Sequence, residues 1–236
     1  ADGDGRALLN LVEQVFAWKL KSPLGQHELM SRLTRRASIY DKSGEAHHNL
    51  ISALHKSVRG SDPDAALYWF SRMIEGGEDP KYLARRILRM AVEDIGLADP
   101  EAQVHCLSAW QAYERLGSPE GELALAGAVT YLALAPKSNA SYVSYKSAQQ
   151  AAKKTGSLPP PKLILNAPTD LMKDQGYGQG YDYDHDAEDG FSGQNYFPDD
   201  IERERYYNPI ERGFERDLLK RVKYFDTLRA KRNNVP

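Results

Sequence analysis

The stretch ELALAGAVTYLALA, from Glu122 to Ala135, decides the fold. After Glu122 it contains no charged residue, and its large apolar side chains fall on nearly every side of a helix. A helix that is apolar all round is buried in a protein core or in a subunit interface. Its alanines and Gly127 leave room for neighbouring helices to approach closely. The stretch therefore predicts a helix with other helices packed around it.

Proline and glycine mark the helix boundaries on both sides of this stretch. A side chain that can cap a helix precedes proline in four pairs: Asp62-Pro63, Asp79-Pro80, Asp99-Pro100 and Ser118-Pro119. Proline is favoured at the first helical position, where its missing N–H has no partner, and the Asp or Ser oxygen accepts from a nearby N–H. Together with glycines suited to end helices, these signals predict helices at residues 5–20, 26–36, 45–59, 63–75, 80–94, 100–116, 119–134 and 139–154.

The predicted fold class is an all-α multi-helix bundle. Helix starts recur roughly every 17 to 20 residues, which favours stacked antiparallel helices. No segment alternates polar and apolar residues convincingly, so we expect almost no sheet.

The sequence changes character after Gly156. A run rich in glycine, tyrosine and aspartate occupies residues 176–198 and is too aromatic for a free linker. We expect this run to lie ordered across the helices or over a neighbouring subunit, although the charge of residues 182–190 is compatible with disorder there. A short helix is predicted from Thr169 to Lys173. A last helix is predicted to start at Asn208-Pro209.

Composition narrows the possible classes of protein. The 31 basic and 33 acidic side chains of the 236 residues nearly cancel, so no global field favours nucleic acid or a membrane. The single cysteine, Cys106, fits a reducing cytoplasm, and its mid-helix position predicts a buried, inert thiol. The longest apolar stretch is too short to span a bilayer. The chain starts at Ala1 without a leader, and we expect it to be a fragment of a longer cytoplasmic protein.

No self-contained catalytic or metal site is found in the sequence. Asp182-Tyr-Asp-His-Asp186 resembles the start of a calcium loop, but Ala187 and Gly193 stand where Gly and Glu are needed. His47 and His48 are adjacent, so they diverge on a helix and favour packing or surface roles. No Gly-x-x-x-x-Gly-Lys-Ser/Thr loop is present. We predict no catalytic residue, no metal and no cofactor for this chain.

Basic residues suggest a possible contact with DNA. Arginines crowd residues 85–89, and Lys153-Lys154 close another helix. Interleaved acidic residues equally favour a self-paired, solvated surface, so both readings stay open. The candidates for DNA contact are on the last helix: Arg216, Lys220, Arg221 and Lys223.

Several segments resemble one family in chain order. These are residues 41–69, Asn166-Ala-Pro168, Gly176-Tyr-Gly178, Tyr196-Phe-Pro198 and Arg212-Gly-Phe-Glu215. They are similar to the MgsA/RarA family of AAA+ ATPases, and the likeness covers nearly the whole chain. Gly3-Asp-Gly-Arg6 resembles the sensor-2 motif of an AAA+ lid domain, which implies that Arg6 reaches the γ-phosphate of ATP in the intact protein.

The resemblance implies two parts, the end of the lid domain at residues 1–36 and a helical tetramerisation domain at 37–236 that is similar to the clamp-loader collar. It also implies that the longer protein is a DNA-dependent ATPase using ATP and magnesium. Its expected partners are further copies of itself, single-stranded, gapped or broken DNA, and single-stranded-DNA-binding protein.

The leading hypothesis is an assembly module with no reaction of its own. The interface candidates are Leu123, Leu125, Val129, Tyr131, Leu132, Tyr142 and Tyr145. A stand-alone DNA-binding domain is one alternative. A metal-dependent hydrolase using His47, His48 and the carboxylates of residues 182–189 is another.

Overall fold

The computed structural model describes residues 5–17, 25, 45–187 and 189–233. The predicted helix 26–36 and the end of the predicted helix 5–20 lie outside them. Within the described residues the chain is all-α, as predicted, without a β-strand. Its helices are α1 Gly5–Ala17, α2 Glu45–Arg59, α3 Pro63–Glu75, α4 Pro80–Met90, α5 Glu101–Leu116, α6 Glu120–Leu134, α7 Ala140–Thr155, α8 Asp170–Asp174 and α9 Glu215–Asn233.

Two of the four predicted helix starts, Asp62-Pro63 and Asp79-Pro80, are capped as expected. The side chain of Asp62 accepts a hydrogen bond from the N–H of Ala65 at 2.9 Å. Asp79 and Asp99 each accept from the N–H two residues further on, at 2.9 and 3.2 Å. At the other two starts, α5 and α6 each begin one residue later than predicted, with a proline and no side-chain cap at the N-cap position.

Helix α6 is central to the core, as its sequence predicts. It packs against α2, α3, α4 and α5. Its Leu125, Val129 and Leu132 are at most 1% exposed, and each such side chain contributes about 1.5–3 kcal/mol when fully buried. Although α6 is strongly apolar, no helix among the described residues is both long and apolar enough to cross a membrane.

Cys106 of α5 belongs to the same core. Burial raises the pKa of its thiol to about 12, so the thiol stays protonated at neutral pH. The prediction of a buried cysteine is confirmed.

Helix α4 ends earlier than predicted, because residues Ala91–Ile95 form a π-helical turn. This turn carries Asp94, whose side chain is only 7% exposed, against α2. His55 Nε2 lies 2.5 Å from Asp94 Oδ2, and Arg59 Nε donates to Asp94 Oδ1 at 2.6 Å. Burial alone would raise the pKa of Asp94, but the hydrogen bonds from His55 and Arg59 outweigh it and lower that pKa.

The predicted start of the last helix at Asn208-Pro209 is wrong, since residues 202–210 are not helical and α9 begins at Glu215. The reason is the carboxylate of Glu215, which is fully buried. It accepts from Ser138 Oγ and from the Ile210 N–H, both at 2.9 Å. The chain before α9 must therefore fold back around this carboxylate, and it cannot do so as a helix.

Ser138 joins Asp94 to Glu215. Its N–H donates to the main-chain oxygen of Asp94 at 2.7 Å, while its hydroxyl donates to Glu215 Oε2. A continuous polar chain thus links α2, the π-helical turn, the α6–α7 connection and α9. We call it the Ser138 network, and it consists of His55, Arg59, Asp94, Ser138 and Glu215.

Replacing Gly213 with alanine is expected to destabilise the fold strongly. Gly213 has a φ of +47°, and a Cβ there would overlap the main-chain oxygen of Ala98 and lie 2.8 Å from Pro136 Cγ. The matched control is Gly156→Ala, where φ is +59° and a Cβ meets nothing within 4 Å. Both variants place an alanine at a positive φ, which is strained. Gly213→Ala should lose a further ~1–3 kcal/mol of unfolding free energy, because its Cβ also overlaps neighbouring atoms. Equal losses in urea unfolding would contradict the tight packing of this turn.

Asp94→Asn should cost about 2–3 kcal/mol of unfolding free energy at neutral pH, because two charge-assisted hydrogen bonds are weakened. The pKa of Asp94 is lower in the folded chain. Its contribution is therefore present above the unfolded value near 4 and is lost as the pH falls through the folded value. The gap between wild type and variant should shrink in urea unfolding series run below about pH 4.

The control for this series is Asp217→Asn, which removes an exposed carboxylate that pairs with Lys220 at 2.9 Å. Little change is expected, because exposed ion pairs are screened by water. A gap for Asp94→Asn that stays constant down to pH 3 would show that the carboxylate charge is not what stabilises the cluster.

Candidate functional site

The outer side of α6 is an exposed apolar surface. Leu123 is 78% exposed and Leu134 is 67% exposed, and Gly127 lies between them in the open. The spacing of four and seven residues places all three on one side of the helix. We call Leu123, Gly127 and Leu134 the α6 stripe.

Three of the seven predicted interface residues lie elsewhere. Leu125, Val129 and Leu132 are buried in the core of this chain, which removes them from any surface. The physical reason is that a helix apolar on every side can turn only part of its circumference outward. Its remaining side chains fill the core made by α2 to α5. The predicted interface is thereby reduced to Leu123 and the tyrosines.

The three tyrosines differ in their surroundings. Tyr131 is half-buried, and its hydroxyl donates to Asp99 Oδ2 at 2.6 Å. This hydrogen bond, together with burial, raises the pKa of Tyr131 to about 12. Tyr142 and Tyr145 lie on α7 and are 42% and 64% exposed. They therefore form an exposed aromatic surface on α7, in addition to the aliphatic α6 stripe.

The four predicted DNA-contact residues are all exposed on α9. Lys220 pairs with Asp217 at 2.9 Å, and the guanidinium of Arg221 lies 5.8 Å from the ring centroid of Phe214. Arg216 donates to the main-chain oxygen of Glu211. The positions of Arg216, Lys220 and Lys223 share one helix side. The structure therefore places these cations together, next to the acidic side chain of Asp217.

A groove of about 640 Å³ runs between α9 and residues 197–207. Arg203 is placed over the ring of Phe197 at 5.5 Å, and burial together with nearby Arg229 lowers the pKa of Arg203. The ring of Phe191 packs on Phe225 of α9 with centroids 5.1 Å apart. Within the aromatic run, Phe191 thus lies against α9, whereas Tyr181, Tyr183 and Tyr196 are each more than 40% exposed.

His47 and His55 pack in the interior and His48 lies on the surface, which are the roles that the sequence favoured. His47 is buried with Nδ1 2.7 Å from Glu78 Oε2, and His55 belongs to the Ser138 network. His48 is exposed. Across the part of the chain that the structure describes, no group of three or more His, Cys, Asp or Glu side chains is arranged to hold a metal ion.

The acidic loop is organised by hydrogen bonds around Asp184. Its carboxylate accepts from the Ser192 N–H at 2.7 Å and from the Tyr196 hydroxyl at 2.8 Å. These bonds lower the pKa of Asp184. Asp184, one of the residues that resembled calcium ligands, therefore uses its carboxylate for hydrogen bonds within the loop.

A polar cleft of about 500 Å³ lies beside the Ser138 network. Lys137 in this cleft donates to the main-chain oxygens of Ala133 and Ala135 at 2.8 and 2.7 Å, and burial lowers its pKa. Arg212 donates to the main-chain oxygen of Lys137. These cations satisfy carbonyl groups at the C-terminal end of α6, where a positive charge is favoured. Their arrangement favours a structural role.

Sequence reasoning missed the buried carboxylates of Asp94 and Glu215. Asp94 stands in no motif, and its partners His55 and Arg59 are 39 and 35 positions away; Ser138, which bonds Glu215, is 77 positions away. The one available signal was Glu215 itself, which follows Gly213-Phe214 in a segment quoted for its family resemblance. Arg6, the predicted ATP contact, lies in α1, but its side chain is outside the described residues.

Comparisons with known proteins cover almost all of the chain. Residues 60–226 match the family described as MgsA AAA+ ATPase C terminal, and residues 1–59 match AAA C-terminal domain. The chain is 50% identical over 97% of its length to a replication-associated recombination protein A from Coxiella burnetii, covering 53% of that protein. It is 46% identical over 91% of its length to the protein of the same name from Escherichia coli K12, covering 49% of it.

A eukaryotic relative shows the same likeness. The chain is 40% identical over 88% of its length to ATPase WRNIP1 of Dictyostelium discoideum, of which it covers 26%. The chain spans about half the length of the bacterial relatives. The match to AAA C-terminal domain ends at residue 59, the last residue of α2. The match to MgsA AAA+ ATPase C terminal begins at residue 60 and extends into α9. The chain therefore belongs to the MgsA/RarA family of AAA+ ATPases, of which it contains C-terminal sequence.

Proposed function

We propose that this chain is an assembly module that joins four copies of a DNA-dependent AAA+ ATPase into one particle. In this proposal the longer protein binds ATP and magnesium through residues outside the chain, with Arg6 reaching the γ-phosphate. The chain itself performs no reaction. Its helical domain serves as the collar does in a clamp loader. The names of its relatives support a role in replication and recombination. The proposed location is the bacterial cytoplasm, at the nucleoid.

The observation that carries the proposal is the α6 stripe. Two leucines of one helix are each about two thirds or more exposed, while the opposite side of the same helix fills the core. Covering both leucines would remove apolar surface from water, which is worth ~25 cal/mol per Å². A second copy suits this surface, since Gly127 between the leucines allows two helix backbones to come close.

A symmetric pairing follows from the position of these residues. In a two-fold antiparallel pair of α6 helices, Leu123 of one copy faces Leu134 of the other, with Gly127 near the crossing point. Such a pairing uses the same surface on both subunits. Four copies need a second interface, for which Tyr142 and Tyr145 of α7 supply the exposed aromatic surface.

The double variant Leu123→Glu/Leu134→Glu should dissociate the particle. Four charges would be buried without partners across each α6 pair, at a cost of several kcal/mol per pair. Multi-angle light scattering should give four times the chain mass of 26.5 kDa for the wild type and a smaller mass for the variant.

Leu171→Glu is the matched control, because Leu171 is 68% exposed but belongs to a different helix, α8. Its mass should equal that of the wild type. A wild type that is monomeric at tens of micromolar, or an unchanged mass for the double variant, would overturn the assembly proposal.

Contact with DNA through α9 is a second candidate function. It is supported by the exposed cations Arg216, Lys220 and Lys223, which share one side of the helix. Single-stranded-DNA-binding protein is the proposed protein partner at the same DNA structures. A helix that presents cations to phosphates binds by releasing counterions, so its affinity falls as salt rises.

Charge reversal of Arg216, Lys220 and Lys223 should weaken binding to an oligothymidine and flatten its salt dependence, by about 0.7 in the log–log slope for each lost phosphate contact. The measurement is fluorescence anisotropy at several salt concentrations. The control reverses three other exposed lysines, Lys81, Lys162 and Lys173, so that the net charge changes equally. Equal weakening in both variants would reduce the effect to net charge and argue against α9 as the contact face.

A further inference from the structure

A small basic pocket lies between α2 and α4. We call it the α2–α4 pocket, and it is lined by His48, Ser52, His55, Lys56, Arg59 and Arg86, with Ile51 at its base, in a space of about 270 Å³. The spacing of His48, Ser52, Lys56 and Arg59 along α2 places them on one side of that helix. Among the described residues, no Asp or Glu lines the pocket, although Asp94 behind it pairs with His55 and Arg59. The lining therefore contains three cationic side chains, of which Arg59 is paired.

The three arginines of α4 have different partners. Arg89 pairs with Glu93 at 2.8 Å, and the guanidinium of Arg85 lies 5.7 Å from the ring centroid of Tyr82. Arg86 has neither kind of partner among the described residues, and its Nε is buried without a hydrogen-bond acceptor. Buried donors in folded proteins are nearly always satisfied. Arg86 therefore has a donor that no described acceptor satisfies, and its side chain lines the basic pocket.

The other cations differ in how firmly they are held. Arg59 is anchored through Nε to Asp94, which leaves part of its guanidinium toward the pocket. Lys56 is exposed and has no carboxylate partner within the described ranges. Lys56 and Arg86 thus supply two positive charges that the chain itself does not neutralise.

We propose that the α2–α4 pocket binds a phosphate group. Arg86 and Lys56 provide the charged contacts, and the hydroxyl of Ser52 provides a neutral donor. A guanidinium and an ammonium together match the several oxygens of a phosphate. The pocket is smaller than the 300–1,000 Å³ typical of sites for drug-sized ligands, which suits a single phosphate group. The site is independent of assembly through α6.

The test uses the full 236-residue chain and inorganic phosphate as the probe. Calorimetric titration of the wild type should show saturable binding. In NMR spectra the Nε–Hε signal of Arg86 should shift with phosphate, while that of Arg85 should not. The variant Lys56→Gln/Arg86→Gln should bind phosphate about tenfold more weakly or worse, as expected for loss of charge-assisted hydrogen bonds.

The matched control is Lys81→Gln/Arg85→Gln, which removes the same two residue types from nearby positions of α4. It should bind phosphate like the wild type. Urea unfolding checks that both variants are folded, and Arg86→Lys, which keeps the charge, should retain part of the affinity. Absence of saturable phosphate binding to the wild type, or equal loss in the control, would overturn the proposal.

A parallel titration with an oligothymidine identifies the source of the phosphate. If the pocket variant loses affinity for the oligonucleotide as well, and inorganic phosphate competes with it, the natural ligand is a nucleic-acid backbone. If only phosphate binding is lost, the ligand is a small phosphate-bearing molecule. Both results support the pocket, because in each the loss follows Lys56 and Arg86.

Discussion

The hydrogen bond from Ser138 to the buried carboxylate of Glu215 is the interaction on which the C-terminal third depends. It joins residues 77 positions apart in sequence at 2.9 Å, and no cation neutralises Glu215 within the Ser138 network. A buried carboxylate is stable only when its oxygens are hydrogen-bonded. Ser138, Ile210 and Tyr207 supply those bonds. Losing one donor would leave charge uncompensated in the interior, so the segment before α9 is fixed in one path.

This constraint reaches the candidate sites because the network continues into α2. Ser138 also donates to the main-chain oxygen of Asp94, whose carboxylate holds His55 and Arg59. The aromatic segment and the groove along α9 keep their place only while α9 does. One chain of polar contacts thus positions the basic face of α9 relative to the helices that surround α6.

The helices could be predicted from sequence because their signals are local. An Asp-Pro pair caps its own helix, and an apolar stretch such as residues 122–135 identifies itself. The start of α9 could not be predicted, because Asn208-Pro209 is a good local start that is overridden by the distant Ser138. The pairing of His55 with Asp94 spans 39 residues, and no periodicity records it. Likewise the composition of α6 predicted that the helix is buried but not which side faces the core. The buried Leu125, Val129 and Leu132 could therefore not be distinguished from the exposed Leu123.

The same geometry explains how stability and ligand binding can share a residue. Arg59 uses Nε for Asp94, at 2.6 Å, and its side chain is half exposed. A planar guanidinium has five donors in a fixed fork. Arg59 Nη2 lies 3.5 Å from Asp94 Oδ2 and 4.0 Å from Glu93 Oε1, so an anion in the α2–α4 pocket can take the Nη1 donors without displacing Asp94. Arg86, in contrast, has no carboxylate partner among the described residues. The Ser138 network therefore fixes Arg59 in the wall of the pocket. In the proposed site, Lys56 and Arg86 provide the main contacts to the anion.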